Sequence, residues 1–301
     1  MERICLICNP TAKSGGAAAA LQTVIGRLKA SGADFTVRET EGPGDALRLA
    51  RQAVEEGYSL IVSVGGDGTM RDIASALVHT DVTLGIIPCG TGNDFVKTVK
   101  IPVDPELAAD VLLGGEDRLI DVGFANGKPF FNIAGIGFDV DVLDYTEEFK
   151  PRCRKGSTAY FLGLLKALFR MKQRKATLRF ESDTVETTLL LIAAGNGRFF
   201  GGGMEVTPNA DPADGLLDIC FIHDVDLYGI LTVLPKFLKG KHLGCAKYVT
   251  YRKERSVTVE CDPVSRMELD GERMMGTPVE IRIDEKALKI RVPRVLPDSS
   301  F

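Results

Sequence analysis

The strongest constraint on the fold is a strict alternation at the start of the chain. The apolar runs "RICLICNP", "DFTVRET", "YSLIVSVGG" and "VTLGIIPCG" are separated by "AAAALQTVIGRLKASG", "GDALRLARQAVEEG" and "DGTMRDIASALVHT". The runs are short and mostly lack the polar alternation of a half-exposed strand, so they read as strands covered on both faces. The stretches between them carry apolar residues at helical spacing. Strand and helix in regular succession give a parallel sheet flanked by helices.

From about Asp121 the texture changes. Segments such as "LIDVGFANGKPFFNIAGIGFDVDVL", "TLLLIAAGNG", "LLDICFI", "SVTVECD" and "VEIRIDEKALKIRV" are β-like and bounded by turn residues. A chain of 301 residues with 45% apolar content also exceeds one comfortable core. The expected architecture is α/β: a first domain over 1–120, then a second, largely antiparallel, β-sandwich-like domain over 121–292. The tail 293–301 is expected to pack back on the first domain.

Three glycine-rich edges stand where strands hand over to helices, at the sheet edge where open α/β folds bind ligands. In "SVGGDGTM", Gly65, Gly66 and Gly68 lack a Cβ, so backbone N–H groups there can point at a phosphate. Asp67 in their midst repels a bare polyphosphate. It implies Mg²⁺ between carboxylate and phosphate, a cationic partner, or a turn hydrogen bond. One unit later "IIPCGTGNDF" repeats the device through Gly90, Thr91 and Gly92, and "NPTAKSGG" supplies Asn9, Thr11 and Lys13 at the same edge. Neither the P-loop nor the Rossmann spacing is present, so a nucleotide would be held by a different arrangement.

Several classes are excluded. The net charge of -4 argues against bulk nucleic-acid binding. "MERICLICNP" lacks a basic region followed by a long apolar run, and "AYFLGLLKALF" is too short for a membrane span and is broken by Lys166, so a cytoplasmic chain is expected. Seven scattered cysteines read as reduced thiols, and the Cys5-x-x-Cys8 pair has no second Cys/His pair to complete a metal site. His79, His223 and His242 are isolated from one another in sequence.

Taken together, "NPTAKSG", Thr40 with "EGPGDA" after it, "VGGDGT", "PCGTGNDF", "NIAGIGFD", "GNGRFFGGGMEVTPNADPADGLLD" and "ELDGE" resemble the diacylglycerol kinase catalytic-domain family, which also contains sphingosine and ceramide kinases and soluble bacterial lipid kinases. "GGDGT" is shared in related form with NAD kinases and 6-phosphofructokinases, whereas "PCGTGNDF" and the late "DGE" discriminate. The resemblance implies ATP held by Asn9, Pro10, Thr11, Ala12, Lys13, Thr40, Gly65, Gly66, Asp67, Gly68, Thr69, Met70, Arg71 and Thr91, with Asp67 near a catalytic Mg²⁺. It implies that Glu272 accepts a proton beside Asp270. It also implies a structural Mg²⁺ on Asp214 and the carbonyls of Asp211 and Leu216. One departure stands out: where the family commonly has Asn then Glu, this chain has Arg71 and Asp72. Arg71 either reaches a phosphate or pairs with an acid.

The expected activity is transfer of the ATP γ-phosphate to a primary hydroxyl of a membrane lipid, foremost diacylglycerol. The alternatives are an NAD kinase and a non-catalytic lipid-binding relative. In "STAYFLGLLKALFRM" an apolar stripe through Tyr160, Phe161, Leu164, Leu165, Leu168, Phe169 and Met171 is too wide for a simple surface helix. Basic residues cluster nearby at Arg152, Arg154, Lys155, Arg170, Lys172, Arg174 and Lys175, and again at Lys236, Lys239, Lys241 and Lys247 beside "LYGILTVLPKFL". On an acidic chain such patches suit peripheral docking at the inner membrane face. A homodimer is compatible with these features.

Overall fold

The computed structural model describes residues 2–12, 16–153, 156–170 and 173–294. The first part runs β1 (Arg3–Cys8), α1 (Gly16–Ser31), β2 (Asp34–Glu39), α2 (Asp45–Glu55), β3 (Leu60–Gly65), α3 (Asp67–Leu77), β4 (Thr83–Pro88), α4 (Asp94–Thr98) and α5 (Pro105–Gly114). Strands β2, β1, β3 and β4 lie side by side and all pair in parallel. The sheet is covered on both faces. Leu49 and Ala50 of α2 and Ile73 and Leu77 of α3 pack on one side with Cys5 and Ile61. Leu21, Val24 and Leu28 of α1 and Ala108 and Leu112 of α5 pack on the other with Cys8 and Val62. Cys5 and Cys8 therefore belong to opposite faces, as an i, i+3 pair on a strand must, and both thiols are free. Burial pushes the Cys5 and Cys8 thiols up to about 11, so neither is a reactive thiolate.

The second part runs β5 (Glu116–Ala125), β6 (Lys128–Phe130), β7 (Ile133–Gly137), α6 (Phe138–Phe149), α7 (Gly156–Phe169), β8 (Arg174–Arg179), β9 (Thr184–Gly195), β10 (Phe199–Phe200), β11 (Met204–Glu205), β12 (Leu217–His223), α8 (Leu227–Phe237), β13 (Val249–Glu254), β14 (Ser256–Asp262), β15 (Met267–Leu269), β16 (Glu272–Met274) and β17 (Val279–Val292). Pairing among β5–β9 and β12–β17 is antiparallel throughout. The largely antiparallel second layer anticipated from the sequence is present.

Strand β17 joins the two parts. It pairs with β14 and β5, and at Lys289 and Ile290 it lies parallel to β4. The chain thus returns to the first sheet before position 293, and β5 crosses position 120 as one continuous strand. Residues 295–301 lie outside the described residues.

One segment departs from the sequence reading. "FDVDVL" alternates like a strand, yet it opens helix α6, because Gly137 at φ 110 turns the chain out of β7. The backbone carbonyl of Leu190 lies 2.5 Å from where a Cβ on Gly137 would sit, so only glycine permits this turn against β9. The α7 stripe is only partly described. Phe161 is exposed and Leu165 is half-buried, while the side chains of Tyr160, Leu164, Leu168 and Phe169, and Met171 as a whole, lie outside the described set. Among the described residues no helix is long and apolar enough to cross a membrane.

Candidate active site at the glycine-rich edge

The two central glycine loops touch. A Cβ on Gly90 would come within 2.8 Å of the Gly66 Cα, and one on Gly66 within 3.2 Å of the Gly90 Cα. Close backbone approach is the reason these positions carry no side chain. Asp67 locks the contact: its carboxylate accepts the backbone N–H of Asn93 at 2.8 Å and of Asp94 at 3.0 Å. Of the options that the sequence leaves for Asp67, hydrogen bonding within the turns is the one observed. Asn93, in the left-handed region at φ 48, closes the second loop by exchanging hydrogen bonds with the N–H and C=O of Gly90.

Burial still raises the Asp67 pKa against the pull of those donors, and the Asp94 charge adds to the rise. No cationic side chain pairs with Asp67 among the described residues. Asp67 is the carboxylate at this edge that would hold the Mg²⁺ of a nucleotide; its neighbour Asp94 is paired with Lys97 at 2.8 Å.

A cavity of about 460 Å³ opens beside these loops, within the roughly 300–1,000 Å³ usual for small-ligand sites. Of the expected nucleotide residues, Asn9, Thr11, Ala12, Thr40, Gly66, Gly68, Thr69 and Arg71 line it. Asn9 is the organiser. Its Oδ1 accepts the Thr11 N–H and hydroxyl, and its Nδ2 reaches Thr69 Oγ1. Pro10, Gly65, Asp67, Met70 and Thr91 are not among the lining residues. Met70 is 4% exposed and packs in the core, the Thr69 side chain fills the space a Gly65 Cβ would need, and Thr91 is exposed. Lys13 lies outside the described residues. The lining also includes Gly90 of the second glycine edge, and Glu41, Gly42, Pro43, Gly44 and Asp72, which the sequence reading did not assign. "EGPG" carried the signal: Gly44 takes φ 81, and Asp45 accepts the Glu41 N–H at 2.8 Å to shape the loop.

The second carboxylate pair meets the cavity through Arg71. Its Nη1 lies 2.8 Å from Glu272 Oε2 and its Nη2 3.1 Å from Asp72 Oδ1. Asp270 and Gly271, both at positive φ, form the two-residue turn between β15 and β16, and Leu269 pairs with Glu272 across it. Asp270 is not a solvated turn acid. Its Oδ2 accepts the Phe131 N–H at 2.8 Å, and its Oδ1 those of Asn132 and Ile133 at 2.9 and 3.0 Å. Burial pushes its carboxyl up to about 6, although the three N–H donors and Arg71 pull the other way. With both oxygens committed, Asp270 fixes the turn, and Glu272 is the carboxylate left open to solvent on one side.

At the second expected metal site a lysine stands beside the carboxylate. Lys253 Nζ lies 2.5 Å from Asp214 Oδ2 and 3.5 Å from the buried Asp218 Oδ2, while Leu216 N–H donates to Asp214 Oδ1 at 3.0 Å. The Asp211 carbonyl accepts the Asp214 N–H, and Asp211 Oδ1 accepts that of Ala213. An ammonium ion already supplies the positive charge expected there from Mg²⁺. The basic clusters are also only partly described. Arg174 faces Asp141 at 3.6 Å, and Arg154, Lys155 and Lys172 lie outside the described residues.

Comparison with known proteins is consistent with this geometry. Residues 3–125 match the diacylglycerol kinase catalytic domain, and residues 132–292 match the YegS C-terminal NAD kinase beta sandwich-like domain. A diacylglycerol kinase of Mycobacterium tuberculosis is 33% identical over 299 residues, covering 97% of this chain and 96% of its own. The chain belongs to the diacylglycerol kinase and YegS-like family of lipid kinases. A Pseudomonas fluorescens member named "Probable lipid kinase YegS-like" is 34% identical over 280 residues, 92% of each chain. A solved Bacillus anthracis structure described as a candidate diacylglycerol kinase superposes with a TM-score of 0.83 at 26% identity, covering 97% of this chain and 95% of its own. As a member of a kinase family, the chain is a phosphotransferase that uses ATP.

Proposed function

We propose that the protein transfers the γ-phosphoryl group of ATP to a primary hydroxyl of a membrane lipid, with diacylglycerol as acceptor and phosphatidic acid as product. The observation that carries the lipid reading is Ile133. Its N–H and C=O both bond to Asp270, and its side chain lines a wholly apolar cavity with Phe138, Val142, Leu190, Val233 and Phe237. The turn that presents Glu272 and the cavity suited to an acyl chain are thus held by one residue. A dinucleotide acceptor would find no polar partner in that cavity, which speaks against an NAD kinase. The cavity has about 60 Å³ of open space, room for about two water-sized groups, so a full acyl chain requires its lining elements to move apart.

In this reading the loop N–H groups and Arg71 hold the triphosphate. Mg²⁺ at Asp67 would neutralise phosphate charge when bound. Asp270 positions the turn. Glu272 takes the proton of the lipid hydroxyl as its oxygen bonds to the γ-phosphorus and the bond to the bridging oxygen of ADP breaks. For Glu272 to act, Arg71 must exchange that carboxylate for phosphate oxygens, a bidentate contact its guanidinium is built to make.

The test is an acceptor panel. Purified protein with labelled ATP and Mg²⁺ is offered diacylglycerol, monoacylglycerol, sphingosine, ceramide and NAD in separate reactions. Label in phosphatidic acid alone supports the reading, and label in NADP or in sphingosine phosphate replaces it.

A further inference from the structure

We infer that helix α8 is the surface by which the protein docks on an anionic lipid bilayer. The inference takes the lipid acceptor of the proposed function as given and adds where the enzyme meets it. Asp226 pins the start of α8, its Oδ1 accepting the Gly229 N–H at 2.6 Å and the Tyr248 hydroxyl at 3.1 Å. The inner face packs down: Ile230, Val233 and Phe237 line the apolar cavity beneath. A soluble helix with that face buried would be polar on the opposite side.

Helix α8 is not. Tyr228, Leu231 and Leu238 are 71%, 69% and 45% exposed, and Pro235 is exposed with them. Tyr228, Leu231 and Pro235, at spacings of three and four, share one outward face, and Leu238 stands at its edge while also lining the cavity beneath. The helix itself contains no acidic residue. Lys236 at its end and Lys239 and Lys241 just beyond are exposed, and none forms an ion pair with a described residue. One acid, Glu205, lies against Gly240 in the same turn. An apolar stripe edged by unpaired lysines matches the interface of a bilayer, with side chains entering the acyl boundary and ammonium groups among anionic headgroups. Water offers the stripe nothing comparable. Continuity completes the case, because the same helix roofs the cavity assigned above to the acyl chain.

The experiment is co-sedimentation of the full chain with vesicles of phosphatidylcholine, with and without phosphatidylglycerol. Wild type is expected to bind the anionic vesicles and to release as salt rises. The triple change Lys236→Gln, Lys239→Gln, Lys241→Gln should weaken that binding on the order of 10²-fold. The pair Tyr228→Ser, Leu231→Ser should weaken it comparably. In both variants thermal melting, ATP affinity and turnover of a detergent-dispersed short-chain diacylglycerol should stay at wild-type values. Vesicle binding unchanged in both variants overturns the inference. A loss of dimer in the Tyr228→Ser, Leu231→Ser variant with vesicle binding intact overturns it too, assigning the face to a second copy. If the variants lose vesicles while wild type phosphorylates no lipid, the docking surface stands and the acceptor reading falls.

Discussion

Replacing Arg71 by glutamine separates a structural ion pair from a working one. The Arg71 side chain is 17% exposed and its Glu272 partner 56% exposed, so the pair is open to solvent on the glutamate side. Exposed pairs contribute about 0.2–1 kcal/mol, and the fold should lose no more than that. The same guanidinium lines the nucleotide cavity. A charge-assisted hydrogen bond to phosphate is worth about 1.5–3 kcal/mol, which corresponds to roughly 10- to 150-fold in rate or affinity. Arg71→Gln is therefore expected to lower kcat/KM for ATP by roughly 10- to 100-fold while the urea midpoint scarcely moves. Arg71→Lys should recover only part of the loss, since a point charge lacks the planar fork. Steady-state kinetics at varied ATP, beside equilibrium urea unfolding, give both numbers. A glutamine variant within threefold of wild type in kcat/KM, or one whose lost activity is matched by lost stability, would refute the reasoning.

Two further outcomes follow from the buried carboxylates. Asp270 has its folded pKa raised to about 6 from an ordinary 3.8, so it holds its proton more tightly when folded. The stability it contributes is full below about pH 4 and is lost as pH rises through about 6, an amount of about 3 kcal/mol. Urea unfolding should show the advantage of wild type over Asp270→Asn shrinking across that window and flat above it, and a pH-independent difference would contradict the cause given. At the other site, Lys253 makes a structural Mg²⁺ superfluous: wild-type thermal melting should be the same in Mg²⁺ and in chelator. Lys253→Met, which leaves Asp214 facing buried Asp218, should cost about 1–2 kcal/mol, between a surface and a buried pair, and should gain a Mg²⁺-dependent shift. A wild-type Tm that rises with Mg²⁺ would restore the metal.

Local chemistry made the first sheet and its glycine edges legible. The unbroken apolar runs of β1, β3 and β4 fit only a sheet covered on both faces, and Gly66 and Gly90 are glycine because their backbones touch. What stayed hidden depends on partners far along the chain. The resemblance gives the proton to Glu272 beside Asp270, but nothing in the sequence shows what holds Asp270, whose carboxylate accepts the N–H of Phe131, 139 positions away. Arg71 and Glu272 meet across the two parts of the fold, and Lys253 reaches Asp214 from another strand. No spacing rule anticipates such pairs. Helix α6 was missed because "FDVDVL" carries a strand's alternation, and the decisive element there is the positive φ of Gly137 just before it.

The central claim is that Glu272 takes a proton from a lipid hydroxyl as phosphate leaves ATP, and one comparison tests it most directly. Labelled phosphatidic acid formed from diacylglycerol is measured for wild type and Glu272→Gln, alongside ATP affinity by calorimetry. Glutamine keeps the size and most hydrogen bonds of glutamate but cannot accept the proton. The expected result is turnover lower by roughly 10²-fold or more with ATP affinity nearly unchanged, the usual scale of lost general-base help. A glutamine variant that phosphorylates diacylglycerol at close to the wild-type rate would contradict the account.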